Sequence, residues 1–242
     1  MKQQPQKITA SQVEELYLFT RKHFVEHYDL QTELVDHLSM AIEKQWETHP
    51  HLSFEKALQI EFKKFGVFGF MEVVEERQKA LSKKYSKLIW RHFLEFFKLP
   101  KIVMTAAAII TTFLILRTGF VNEVWFGVII LILFVVAIIE LVITARKRKK
   151  AQKSGRKKWM FEEMITSAGM GTNFSFMPFY FFQSIFLHTD NLSIVAPWKV
   201  FLLSVIFVAL LLVMYIMQVD IPKKAHQYLI DTYPEYQLVQ SS

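Results

Sequence analysis

His23 and His27 stand four residues apart, the spacing that turns two imidazoles to one side of a helix as zinc binding requires. Asp36 and His37 would add a carboxylate and a third imidazole if the next helix folds back as a hairpin. No His-Glu-x-x-His signature accompanies them, and polar residues flanking a turn meet the same spacing without a metal. No metal is therefore assigned. Glu140 is the lone charge in a long apolar run, six residues before a basic cluster. Helical rise puts it ~9 Å inside the end of its helix. A charge at the bilayer centre costs ~2.5–3.5 kcal/mol and less near the boundary. An ion, proton or headgroup contact is one role for Glu140; snorkelling toward Arg146 or Arg148 is the plainer one. The third feature is Thr166–Ser175, where Ser167, Gly171 and Ser175 recur at four-residue steps and let helices approach closely. Asn173 and Gln183 bring amides to the same segment, and Pro178 should kink it. A substrate or lipid cavity around Asn173 is one reading, but packing alone accounts for the small residues. No nucleophile–base pair is visible, so neither an enzymatic activity nor a cofactor is expected.

The elements that must position these residues are all helical by periodicity. Thr9 and Gln12 form a capping-box pattern, opening a helix over Ala10–Tyr28 with Val13, Leu16, Tyr17 and Phe24 on one stripe. Thr20 interrupts the stripe, and Leu18 and Val25 fall on the opposite face. A second helix, Leu30–Glu47, carries Leu34, Leu38, Ala41, Ile42 and Trp46, leaving Glu33, Asp36, Glu43 and Lys44 for solvent. Ser53 caps a third, Phe54–Phe65, which Gly66 ends. A fourth runs from Phe70 toward Lys98, where aromatics mix with cations as at a headgroup boundary. Four apolar segments come next, Leu99–Leu116, Val124–Ala145, Met164–His188 and Val200–Gln218, each read as a membrane span.

Orientation comes from charge. Residues 146–158 hold nine cations and no anion, while 117–123 and 189–199 are nearly cation-free. Lys/Arg clusters beside spans stay on the cytoplasmic side, so both termini are expected in the cytoplasm. A hydrophobic content of 52% exceeds that of an ordinary soluble domain and supports the same reading. The net charge of +7 is matched by anionic lipid headgroups, with Arg146, Lys147, Arg148, Lys149, Lys150, Arg156, Lys157 and Lys158 as the contacts. No recognition motif points to nucleic acid. The absence of cysteine excludes disulfides and thiolate sites. No apolar h-region lies near Met1, so no cleaved signal peptide is expected, and Lys2 excludes myristoylation.

Glu33-Leu34-Val35-Asp36-His37-Leu38, the Ser53-Phe54-Glu55-Lys56-Ala57-Leu58 helix start and the Phe65-Gly66 pair resemble the HAAS-type cytoplasmic helical domain of bacterial membrane proteins. The likeness covers about residues 10–85. Family members usually have a proline-containing turn after the glycine, where this chain reads Val67-Phe68-Gly69-Phe70. The resemblance implies a sensing or regulatory membrane protein, not an enzyme, with a cytosolic protein partner.

The expected organisation is all-α. A cytosolic domain occupies residues 1–86, a juxtamembrane stalk 87–98, a four-helix transmembrane bundle 99–218 and a cytosolic tail 219–242. Glu33, Asp36 and His37 are the partner-binding candidates; Glu140, Asn173 and Gln183 are the functional candidates within the membrane. The expected function is a non-enzymatic regulator in the bacterial inner membrane. A small transporter or permease accessory using Glu140 is the main alternative, and a membrane-embedded lipid-modifying enzyme a further one.

Overall fold

The computed structural model describes residues 6–118, 157–168 and 195–237, with isolated helical positions at 128, 135, 138, 139, 142, 143, 146, 149 and 180. Every regular element among the described residues is helical. These are α1 (Ala10–Lys22), α2 (Tyr28–Thr48), α3 (Phe54–Lys63), α4 (Met71–Glu95), α5 (Lys101–Arg117), α6 (Met160–Ala168), α7 (Pro197–Tyr215), a π-helical turn (Ile216–Asp220), α8 (Ile221–Lys223) and α9 (Ala225–Ile230). The chain divides into two compact units, Met1–Lys83 with Lys157–Glu163, and Lys84–Arg156 with Met164–Ser242.

In the first unit the caps stand where the sequence puts them. Thr9 accepts from the Gln12 amide while the Gln12 side chain accepts from the Thr9 amide. Ser53 accepts from the Lys56 amide. The core is the α2 stripe, Leu34, Leu38, Ile42 and Trp46, with Leu16 from α1 and Phe54, Ala57 and Leu58 from α3. The Trp46 indole N–H donates to the Leu52 carbonyl at 2.9 Å, so its one polar atom is satisfied inside. Helix α1 ends at Lys22 rather than at Tyr28. Phe24 adopts φ 64, a left-handed conformation that stops the helix, and leaves its own ring exposed while Val25 turns inward. Thr20, which breaks the apolar stripe on paper, is fully buried because its hydroxyl donates to the Tyr17 carbonyl.

Helix α3 ends at Lys63, two residues before the expected Phe65, and Gly66 (φ 76) follows the turn after it; Gly69 (φ 56) is a closer constraint. A Cβ at Gly69 would lie 2.9 Å from Cζ of Phe62. Phe62, Phe65 and Phe70 converge there, with Phe19 and His23 against Phe62 and Phe70.

Glu61 is buried beside this cluster and receives hydrogen bonds from Gln45 and Lys64. Burial alone would push its carboxyl up, but the bonds from Lys64 and Gln45 outweigh it and hold the group below the ordinary glutamate range. A depressed folded value means stability that is complete above the ordinary value and lost as pH falls through the folded one. Chemical denaturation across a pH series should show wild type more stable than Glu61→Gln at neutral pH. The gap should close only in acid. A gap independent of pH would show that Glu61 acts by shape alone.

Sequence 157–163 completes the first unit, although it lies far along the chain. Tyr28 donates its amide to the Lys158 carbonyl at 2.7 Å, and Asp29 accepts the Met160 amide at 3.1 Å. The Trp159 ring stands edge-on to Tyr28, and Trp159 and Phe161 are buried.

In the second unit α5 and α7 pack antiparallel. Phe96 meets Tyr215 near one end; Phe113 meets Phe201, and Arg117 donates to the Val195 carbonyl, near the other. Val200, Ser204 and Val208 form the inward face of α7, with the Ser204 hydroxyl satisfied by the Val200 carbonyl. The helix Pro197–Lys223, 27 residues counting the π turn, is long and apolar enough to cross a membrane; among the described residues it is the one helix that is. Helix α5, at 17 residues, is shorter. The segments Val124–Ala145 and Met164–His188 lie largely outside the described residues.

Candidate functional site

The buried stripe of α4 runs through Leu81, Tyr85, Leu88 and His92, at three- and four-residue steps. His92 is 2% exposed, an imidazole at a position that periodicity reserves for a hydrophobe. Its partners come from the far end of the apolar helix and from the tail. Nδ1 lies 2.5 Å from Asp220 Oδ2, and Nε2 lies 2.7 Å from the Tyr228 hydroxyl.

The backbone explains why Asp220 can reach. Pro222 lacks an N–H and its ring clashes with the preceding turn of an α-helix. The chain widens instead into the π turn Ile216–Asp220, where the Ile221 amide donates to the Ile216 carbonyl. One extra residue in a turn rotates every later side chain about the helix axis, and π turns of this kind recur at functional sites. Lys224 then sits 3.5 Å from Asp220 Oδ1. Glu95 stands 4.0 Å from His92 and shares its carboxylate with Lys101 at 3.7 Å.

The tail is held beside this cluster. Helix α9 and the residues after it bury Leu229, Tyr233 and Tyr236, and Lys84 donates to Thr232. Lys84 and His92 are two turns apart on α4, and Thr232 and Tyr228 one turn apart on the tail, so the tail runs back along α4. Tyr85, on the same buried stripe of α4, has a hydroxyl with no hydrogen-bond partner among the described residues, and burial pushes its phenol up to about 12.

Chemically, the trio is a closed hydrogen-bonded chain. With neutral His92, Nδ1–H donates to Asp220 and Nε2 accepts from Tyr228; with the imidazolium, both nitrogens donate. Either state satisfies every atom, so the chain can pass a proton or can serve as a polar fastener. The imidazole is too enclosed to meet a substrate. Nothing in the spacing of residues 92, 220 and 228 announces the cluster; the only sequence signal is an imidazole on an apolar stripe.

The residues singled out by sequence are dispersed. Glu33, Asp36 and His37 share an exposed face of α2 with Met40, at helical steps. Glu33 lies 3.9 Å from Arg77, a weak exposed pair, and the His37 ring lies 6.2 Å from Phe65. His23 and His27 do not share a helical face, since α1 ends before either. His23 bonds to the Phe19 carbonyl, and His27 lies 3.0 Å from Glu163. No group of three or more His, Asp or Glu able to hold a metal occurs among the described residues. Of the headgroup candidates, Arg146 and Lys149 are exposed, Lys157 lies 3.9 Å over the Tyr28 ring, and Lys158 pairs with Glu26 at 3.2 Å. Glu140, Asn173, Gln183, Lys147, Arg148, Lys150 and Arg156 lie outside the described residues.

The chain matches no protein-family model, no curated protein and no solved structure.

Proposed function

We propose that this chain is a non-enzymatic regulatory protein of the bacterial inner membrane, whose N-terminal helical unit binds a cytosolic protein partner. One observation carries the reading. Glu33, Asp36, His37 and Met40 form an exposed stripe on α2, the helix whose opposite face is the core of the unit. A rigid helix presenting two carboxylates, an imidazole and an exposed methionine suits a basic-and-apolar groove on a partner. The HAAS-like pattern of residues 10–85 points the same way. Four spans, both termini in the cytoplasm and headgroup contacts from the 146–158 loop complete the proposal, and the apolar helix Pro197–Lys223 supports it.

Two experiments test it. The full-length protein, solubilised in mild detergent, should retain a stoichiometric partner that Glu33→Lys/Asp36→Lys loses while membrane insertion stays unchanged. An identical captured set from both proteins would end the α2 reading. Reporter fusions after Ser154 and Ser242 should be active only with cytoplasmic reporters, and a fusion near Asn191 only with periplasmic ones. Periplasmic activity at Ser154 would overturn the four-span arrangement.

A second reading, a small transporter or permease accessory, is favoured by the His92–Asp220–Tyr228 chain at the end of the apolar helix. Intramembrane proton paths are built from such Asp and His groups, and Glu140 would extend one.

A further inference from the structure

We infer that the outer side of α4 from Lys87 onward, together with the turn that follows it to Lys98, is a membrane-docking surface whose occupant is the headgroup layer of an anionic bilayer. Helix α4 has two apolar faces here. One, through Leu88 and His92, is buried within the second unit. The other carries Trp90 at 61% exposure, with Leu94 and Phe97 also exposed and Phe93 between them, and none of the described residues covers it. Its rings form a row: Trp90 stacks on Phe93 at 5.6 Å, and Phe93 lies 5.1 Å from Phe97.

Charge and continuity select a bilayer over a protein. Lys87, Arg91 and Lys98 are exposed and interspersed in sequence with the aromatic residues of the row. Aromatic rings flanked by Lys and Arg are the composition of helices that lie in the headgroup plane, and the cations draw such helices to anionic lipid. The chain then passes within a few residues into α5, whose Val103 and Met104 are likewise exposed. The inference rests on the proposed membrane location.

The chain has no cysteine, so a single introduced cysteine is the only site a nitroxide label can take. Full-length protein carrying Lys87→Cys, Leu94→Cys, Phe97→Cys or, on the exposed side of α7, Leu202→Cys is reconstituted into vesicles. One set contains phosphatidylglycerol with phosphatidylethanolamine, the other phosphatidylcholine alone. In the anionic vesicles, labels at 94 and 97 should collide with oxygen and lose collision with a water-soluble nickel chelate, as should the label at 202. The label at 87 should stay accessible to nickel. In phosphatidylcholine, nickel access should return at 94 and 97 but not at 202. Nickel access at 94 and 97 in both vesicles, with 202 still in lipid, overturns the inference and leaves the membrane reading standing. Water access at 202 as well brings down the membrane reading itself. Equal immersion in both vesicles overturns the role given to anionic lipid. Dipolar broadening at 94 would mean that a second copy covers the face, and would overturn the bilayer as its occupant.

Discussion

Trp159→Ala is expected to destabilise the N-terminal unit by about 3–5 kcal/mol, the range for removing a fully buried aromatic ring. The residue is 1% exposed, and its ring lies 5.4 Å from that of Tyr28. Around it the segment is fastened to the start of α2 by contacts of unequal worth. The Tyr28 amide to Lys158 carbonyl bond and the Asp29 carboxylate on the Met160 amide bind backbone groups. Losing such a bond in a buried setting strands a donor or acceptor and costs about 1–3 kcal/mol. The Lys158–Glu26 pair is exposed, and such pairs contribute only ~0–1 kcal/mol. Hydrogen exchange on the full-length protein is the measurement. The amides of Tyr28 through Val35 should lose protection in Trp159→Ala, whereas Lys158→Ala should leave them nearly unchanged. A fragment ending at residue 86 should show the same loss as Trp159→Ala, because it lacks the cover altogether. If Trp159→Ala changes stability by less than ~0.5 kcal/mol, the usual surface range, the segment is peripheral to the unit.

The reach of each interaction decides whether it is legible in the sequence. The α2 stripe is legible because a helix repeats its buried side every three or four residues; Leu34, Leu38, Ile42 and Trp46 are all inside. Caps are legible for the same local reason: Thr9 with Gln12, Ser53 with Lys56. The end of α1 is not, since no glycine or proline marks it and Phe24 is an unusual residue to hold a left-handed φ. Thr20 is hidden because hydropathy counts a hydroxyl as polar even when a carbonyl one turn back satisfies it. Trp159 conceals its role. It follows a run of cations with no periodic apolar pattern before it, and only long-range contact makes it core. His92 misleads for the opposite reason: its stripe predicts burial, but its identity suggests an exposed cation among others. Periodicity tells which side of a helix is covered. It does not name what covers it.

His92→Ala should release the C-terminal tail. It leaves the Asp220 carboxylate without the imidazole and the Tyr228 hydroxyl without its partner, and stranding such a hydrogen-bonding group costs about 1–3 kcal/mol. Lys224 remains beside Asp220 and will recover part of that. The readout is cleavage by an added protease between residues 224 and 237, together with the exchange of the Leu229 and Tyr233 amides; both should rise. Unchanged protection in His92→Ala would show that Leu229, Tyr233 and Tyr236 hold the tail without the polar chain. Amide replacements then separate the two roles of the cluster. The Asn nitrogen of His92→Asn can occupy the place of Nδ1 and donate to Asp220; the amide of His92→Gln reaches toward Tyr228 where Nε2 stood. A fastener needs only those bonds, so one amide variant should restore tail protection and the phenotype of the deleted gene together. A proton relay needs a group that gains and loses a proton near neutral pH, which an amide cannot do. Restored protection without restored phenotype would therefore favour transport over partner binding. Joint rescue is the outcome expected of a polar fastener that acts through its hydrogen bonds alone.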